Sequence, residues 1–185
     1  MAIGIRRAGH DDHPRRRAAA MTTTFCGLLA LAFVMAASPP APAAVPPTNL
    51  VTFQQVSSGR FMDAHEIAGE DFRLVTRPQQ GDDTQRWRIT QVAPGVFTIQ
   101  QLSNGRHVDA HEIAGQDFRM VTRPQQNDAT QQWRITALGG GIHTIQQVSS
   151  GRFADAHEIA EQDFRLVTRP QQGDNTQQWR IVFLQ

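Results

Sequence analysis

Lysine and tyrosine are absent from the 185 residues, and cysteine occurs once, at Cys26. All 18 basic residues are therefore Arg, set against 17 acidic ones, for a formal net charge of +1. A single cysteine excludes a disulfide framework. Near-zero charge argues against a nucleic-acid binder held by phosphate contacts, which needs many clustered cations. At 39% hydrophobic the chain is too apolar to be wholly disordered, and its length suits one domain. The apolar run from Phe25 to Ala37 is 13 residues, too short to span a bilayer comfortably.

That run sits in a leader. Arg15, Arg16 and Arg17 precede it, and Ser38-Pro39-Pro40-Ala41-Pro42-Ala43-Ala44 follows. A positive region, a short apolar core and a small-residue A-x-A site (Ala41 and Ala43) are the parts of a secretory signal peptide, expected over residues 1–43. A short linker, 44–50, is expected next. Cys26 leaves with the leader, as do five Arg and two Asp, and the remainder carries 13 Arg against 15 acidic residues, a net charge of −2. Export ends in the periplasm or outside the cell, with no stable membrane insertion after cleavage.

The rest of the chain is one motif written three times. Thr52-Phe53-Gln54-Gln55, Thr98-Ile99-Gln100-Gln101 and Thr144-Ile145-Gln146-Gln147 are offset by 46 residues. Gly59, Gly105 and Gly151 keep the offset, as do Asp63, Asp109 and Asp155, and Trp87, Trp133 and Trp179. The second and third copies agree at 31 of 42 aligned positions, so the repeat is one structural unit. The repeats run over 52–97, 98–143 and 144–185 within a domain spanning 51–185.

Each copy reads as four short strands, with no helical period. The first is Val51–Val56, closed by the turn cluster Ser57-Ser58-Gly59. The second is Arg60–Asp63, and the third, Phe72–Arg77, stops at Pro78, which cannot donate to a ladder. A polar loop, Gln79–Thr84, leads to the fourth, Gln85–Thr90. There Gln85, Trp87 and Ile89 share one face and Arg86 and Arg88 the other. Twelve strands in three equal units are too few for an open solenoid or a propeller. They suit a closed barrel with a hairpin cap, an all-β β-trefoil, in which closure removes exposed edges. Trp87, Trp133 and Trp179 are expected as core anchors. Gln85, Gln131 and Gln177 fall at the core edge, where their amides need partners.

The triplets Gln85-Arg86-Trp87, Gln131-Gln132-Trp133 and Gln177-Gln178-Trp179 resemble the Q-x-W signature of ricin B-type β-trefoil lectins. Gly59-Arg60-Phe61-Met62-Asp63 resembles the same family's glycine, basic residue, apolar pair and sugar-binding aspartate. The stretch from Val75-Thr76-Arg77-Pro78 to Trp87 is similar to cysteine-free bacterial members with three near-identical repeats. The resemblance covers residues 50–185. It implies a glycan-binding protein without cofactor in which Gln85 hydrogen-bonds the binding aspartate.

On that resemblance the candidate sugar-binding residues are Asp63, His65, Arg77 and Gln80 in the first copy. Their equivalents are Asp109, His111, Arg123 and Gln126 in the second, and Asp155, His157, Arg169 and Gln172 in the third. A carboxylate beside a polar loop accepts sugar hydroxyls through charge-assisted bonds, although an aspartate there also suits a turn cap. Two departures are visible. The family's usual disulfide is missing, and Arg77 stands at the position of an aromatic platform. Arg can lie flat under a ring; otherwise the platform is His65 or Phe72, or the ligand is polar or acidic.

Asp63-Ala64-His65-Glu66 recurs in all three copies. D-x-H-E matches neither a calcium loop nor a zinc spacing, and a loop salt-bridged to Arg73 or Arg77 is expected rather than a metal. Asp63 with Glu66 is a conceivable carboxylate pair for glycoside hydrolysis. Three identical copies without a deep cleft suit recognition better than chemistry, so the reading is non-catalytic. The rivals are a protein-binding β-trefoil, such as a protease inhibitor, and a structural envelope trefoil with no sugar site. Nothing in the sequence sets the oligomeric state.

Overall fold

The computed structural model describes residues 48–185. The expected signal peptide and the start of the expected linker lie outside the described residues. The twelve strands are β1 (Thr48–Gln55), β2 (Phe61–Ala64), β3 (Leu74–Arg77), β4 (Trp87–Ala93), β5 (Val96–Gln101) and β6 (His107–Ala110), followed by β7 (Met120–Arg123), β8 (Trp133–Gly139), β9 (Ile142–Gln147), β10 (Phe153–Ala156), β11 (Leu166–Arg169) and β12 (Trp179–Phe183).

Antiparallel pairing runs β1–β4–β5–β8–β9–β12 and returns from β12 to β1, which closes a six-stranded barrel. The other six strands form three hairpins, β2–β3, β6–β7 and β10–β11. Single bridges Arg73–Val121, Arg119–Val167 and Arg165–Val75 join hairpin to hairpin in a ring. This is the β-trefoil, one barrel with a threefold cap. Among the described residues no helix is long and apolar enough to cross a membrane.

Alternation along β4 fixes what faces inward: Trp87 and Ile89 are fully buried while Arg88 is exposed. All three tryptophans are fully buried in one core with Phe53, Ile99 and Ile145. Each indole N–H donates to a backbone carbonyl of its own repeat's hairpin, Met62 at 3.2 Å, Val108 at 3.0 Å and Ala154 at 3.1 Å. The ring fills the barrel and its polar edge ties barrel to cap.

β2 is displaced by one residue, and β1 and β4 end at Gln55 and Ala93 rather than Val56 and Thr90; the other three strand starts shift further from the sequence expectation. β1 begins at Thr48, inside the expected linker, because Thr48–Val51 ladder onto β4. β4 begins at Trp87 because Gln85 is held in a turn, its N–H donating to Asp82 O at 3.3 Å. β3 begins at Leu74, not Phe72, because Asp71 and Phe72 have φ of 54° and 49°. The left-handed pair follows a single 3-10 turn, Ala68–Glu70, and recurs at Asp117-Phe118 and Asp163-Phe164. A left-handed backbone is costly for a bulky residue, about 1–3 kcal/mol. In all three repeats it turns an Asp and a Phe away from their own hairpin.

Candidate functional site: three polar clusters at the repeat boundaries

Asp63 lies on β2 between Met62 and Ala64, which point into the core, so its own side chain faces the opposite way. Its Oδ1 accepts the Ala64 N–H at 2.7 Å, and its Oδ2 accepts from Gln85 Nε2 at 3.3 Å. The residue is only 3% exposed. Gln85 spends its amide fully. Nε2 also donates to Pro78 O at 2.9 Å and to Gln80 Oε1 at 3.3 Å, while Oε1 accepts the Gln80 N–H at 2.9 Å. One buried amide thus pins the polar loop to the aspartate. Gln131 and Gln177 do the same for Asp109 and Asp155, each at 3.4 Å. Burial pushes the Asp63 carboxyl above its ordinary value, against the opposing pull of hydrogen bonds from Ala64, Thr84 and Gln85 and the charge of Arg77. Burial raises Asp155 as well, opposed by Thr176, Gln177 and Arg169.

Arg77 closes β3 and sits above this pair, its Nε 3.8 Å from Asp63 Oδ2. Arg123 stands 3.8 Å from Asp109 and Arg169 4.0 Å from Asp155. Arg77 Nη2 lies 3.1 Å from His65 Nε2. In the second repeat Arg123 Nη2 is 3.2 Å from Nε2 and 3.4 Å from Nδ1 of His111. Near-equal distances to both ring nitrogens place the guanidinium over the imidazole face, a stacking contact rather than a lone-pair bond. Asp63, His65 and Arg77 are therefore brought together as expected. Gln80 reaches them only through Gln85, as Gln126 does through Gln131 and Gln172 through Gln177.

Each cluster is completed from a neighbouring repeat. His65 Nε2 meets Asp163 Oδ2 at 2.6 Å, His111 meets Asp71 at 2.7 Å, and His157 meets Asp117 at 3.0 Å. The same three aspartates accept from Arg73, Arg119 and Arg165 at 3.1, 2.9 and 3.0 Å. Burial alone raises a carboxyl, but in Asp163 the hydrogen bonds from His65 and Arg73 and the charges of Arg77 and His65 outweigh it, and the group lies below the ordinary carboxylate range. Asp71 and Asp117 are lowered in the same way, by His111 with Arg119 and Arg123, and by His157 with Arg165 and Arg169. The D-x-H-E segment thus faces Arg77 through Asp63 and His65, while Arg73 reaches it only through the Asp163 that it shares with His65. Its Glu66 accepts from Ser103 of the next repeat, as Glu112 does from Ser149 and Glu158 from Ser57.

The left-handed turns explain these reaches. Asp163 and Phe164 are thrown toward the first repeat, where Asp163 takes His65 and Phe164 lies 3.8 Å under the Arg60 guanidinium. Phe72 lies 3.7 Å under Arg106, and Phe118 the same distance under Arg152. Phe72 therefore has one face committed to Arg106. Sequence reasoning missed Asp71, Asp117 and Asp163 as members of the clusters. The available signal was a carboxylate kept at the 46-residue offset, at 71, 117 and 163.

A closed barrel, a three-hairpin cap and three equal polar clusters define a β-trefoil with one polar cluster per repeat boundary. The profile of the ricin-type beta-trefoil lectin domain-like family matches residues 44–122 and 129–184, and the chain belongs to that family. Among solved structures it is similar to ThreeFoil, a designed threefold-symmetric protein, with 21% identity, TM-score 0.66, and coverage of 73% of this chain and 99% of that one. It is similar to the Rhizoctonia solani agglutinin with 20% identity, TM-score 0.65 and coverage of 78% and 100%. It is also similar to the Polyporus squamosus lectin, bound to Neu5Aca2-6Galb1-4GlcNAc, with 12% identity, TM-score 0.64 and coverage of 75% and 50%. No curated protein sequence matches the chain.

Proposed function

We propose that the protein is an exported, non-catalytic carbohydrate-binding protein with up to three similar sites, one in each repeat. The observation that carries this reading is the threefold recurrence of an aspartate braced by the Q-x-W glutamine beneath a third-exposed arginine, in a lectin-like family. Asp63 and its equivalents accept sugar hydroxyls, Arg77 donates and stacks, and His65 shapes the rim. Each site is weak alone, because hydroxyls exchange water for protein at small net gain. Three sites on one rigid body raise avidity on a dense glycan.

A second reading, a trefoil that has lost its sugar sites, is favoured by the burial of Asp63, Asp109 and Asp155, each under 5% exposed. A glycan array separates the two. The purified protein is screened beside a variant carrying Asp63→Asn, Asp109→Asn and Asp155→Asn, with folding checked by circular dichroism. The lectin reading expects a coherent set of bound glycans, weakened about ten- to a hundredfold in the variant, the loss of a charge-assisted bond. Binding that the variant keeps overturns the site. No binding by the folded wild type favours the second reading.

A further inference from the structure

Three near-identical repeats make any local departure from identity informative. On the barrel flank of the polar loop in the first and second repeats, away from the Arg77 face, the fold leaves a hollow between that loop and the adjoining barrel strands. In the first repeat it is about 90 Å³, with Phe61 and Gln79 in its wall. In the second it is about 320 Å³, at the lower end of ligand-pocket volumes. Two departures from the repeat converge there. His107 stands where the other copies have Phe61 and Phe153, and Asn127 stands where they have Gly81 and Gly173.

The histidine is an unfavourable choice for stability alone. His107 is 7% exposed, and its Nδ1 is shut from solvent with no hydrogen bond, where phenylalanine leaves nothing unpaired. Asn127 has a φ of 59°, a conformation that its glycine equivalents adopt freely at 76° and 75°. Its Oδ1 accepts from Gln125 Nε2 at 2.6 Å, which fixes both amides on the rim. Burial lowers the His107 pKa, so the imidazole is neutral at physiological pH.

We propose that this hollow is a separate, single-copy site for an uncharged, hydroxyl-rich small molecule of about one sugar ring. The walls offer Thr90, Thr98 and Gln100 from the barrel hairpin, and Gln125, Asn127 and His107 from the second repeat. A hydroxyl both donates and accepts, so it satisfies amides, threonines and either imidazole tautomer, which a fixed charge does not. The one carboxylate of the wall, Asp128, is turned to its own loop through Oδ1, which accepts the Thr130 N–H at 3.1 Å and the Thr130 hydroxyl at 2.6 Å. Val92 supplies an apolar patch for a C–H face. Arg123 and His111, which mark the repeated cluster, are not part of this wall; Gln131, which braces Asp109 from behind, is the one residue the two share.

The test follows the His107 imidazole by NMR while glycerol and the methyl glycosides of galactose, mannose and N-acetylglucosamine are added in turn. At least one probe is expected to shift His107 saturably. His107→Phe, which installs the residue of the other two repeats, is expected to weaken that binding about tenfold, followed in wild type and variant alike through the Gln125 and Asn127 side-chain amides. Arg123→Ala, which removes a member of the repeated cluster that does not line this hollow, is expected to keep the His107 shift, so this site stands or falls apart from the repeated ones. No shift with any probe, unchanged affinity in His107→Phe, or loss of the shift in Arg123→Ala each overturns the proposal.

Discussion

The barrel and its cap hold themselves together by different means. The barrel rests on an unbroken ring of ladder hydrogen bonds around fully buried Trp, Phe and Ile side chains, with no edge left open. The cap has three two-stranded hairpins joined by single bridges, and between them lie His–Asp and Arg–Asp pairs, stacked Arg–Phe pairs and left-handed turns. Apolar burial is insensitive to which residue supplies it, whereas the cap contacts depend on particular charges in particular places. Stability is therefore concentrated in the barrel, and dependence on particular charges in the cap.

The largest expected effect is on the barrel side. Trp133→Ala removes a fully buried indole and its bond to Val108 O, and is expected to cost about 3–5 kcal/mol in chemical denaturation. A loss below about 1 kcal/mol breaks the contrast.

Acid probes the cap. Asp71, Asp117 and Asp163 have folded values below the unfolded one, so their contribution is present above the unfolded pKa of about 4 and is lost as pH falls through the folded values. Asp63 and Asp155 have folded values above it, so theirs is present below the unfolded pKa and is lost as pH rises through the folded values. Replacing Asp71, Asp117 and Asp163 together by Asn is expected to flatten or reverse the acid limb of a denaturation-midpoint profile. An unchanged limb removes the boundary clusters as its cause.

The smallest expected effect is that of a single Asp163→Asn. Asparagine tolerates the left-handed backbone at φ 53°, so only the charge changes. With the carboxylate 39% exposed, the cost is expected at about 1 kcal/mol or less in the same assay. A cost rivalling that of Trp133→Ala would place stability in the cap as well.

Most of the architecture was legible because it depends on local periodicity. The 46-residue offset located all four strands of each copy, the alternation around Trp87 gave the inward face, and Gln85 found the aspartate the resemblance assigned to it. What could not be read lies across repeats. His65 and Asp163 are 98 positions apart, and no short-range pattern marks them as neighbours. Phe72 read as a strand residue because aromatic side chains suit strands, yet contact with Arg106 holds it in a left-handed turn. His107 was visible as a difference between copies, but a substitution alone does not show that a hollow opens beside it.

The cyclic sharing of aspartates sets an order in time. As the chain leaves the ribosome, Asp71 precedes His111, and Asp117 precedes His157, so these two clusters have both members once the later histidine emerges. The third runs backward: His65 is made early and waits for Asp163, just as β1 waits for β12. The first repeat is thus the first to be synthesised and the last to be finished. Until then, the open edge of β1 and the unpaired histidine are what a nascent-chain chaperone or protease meets.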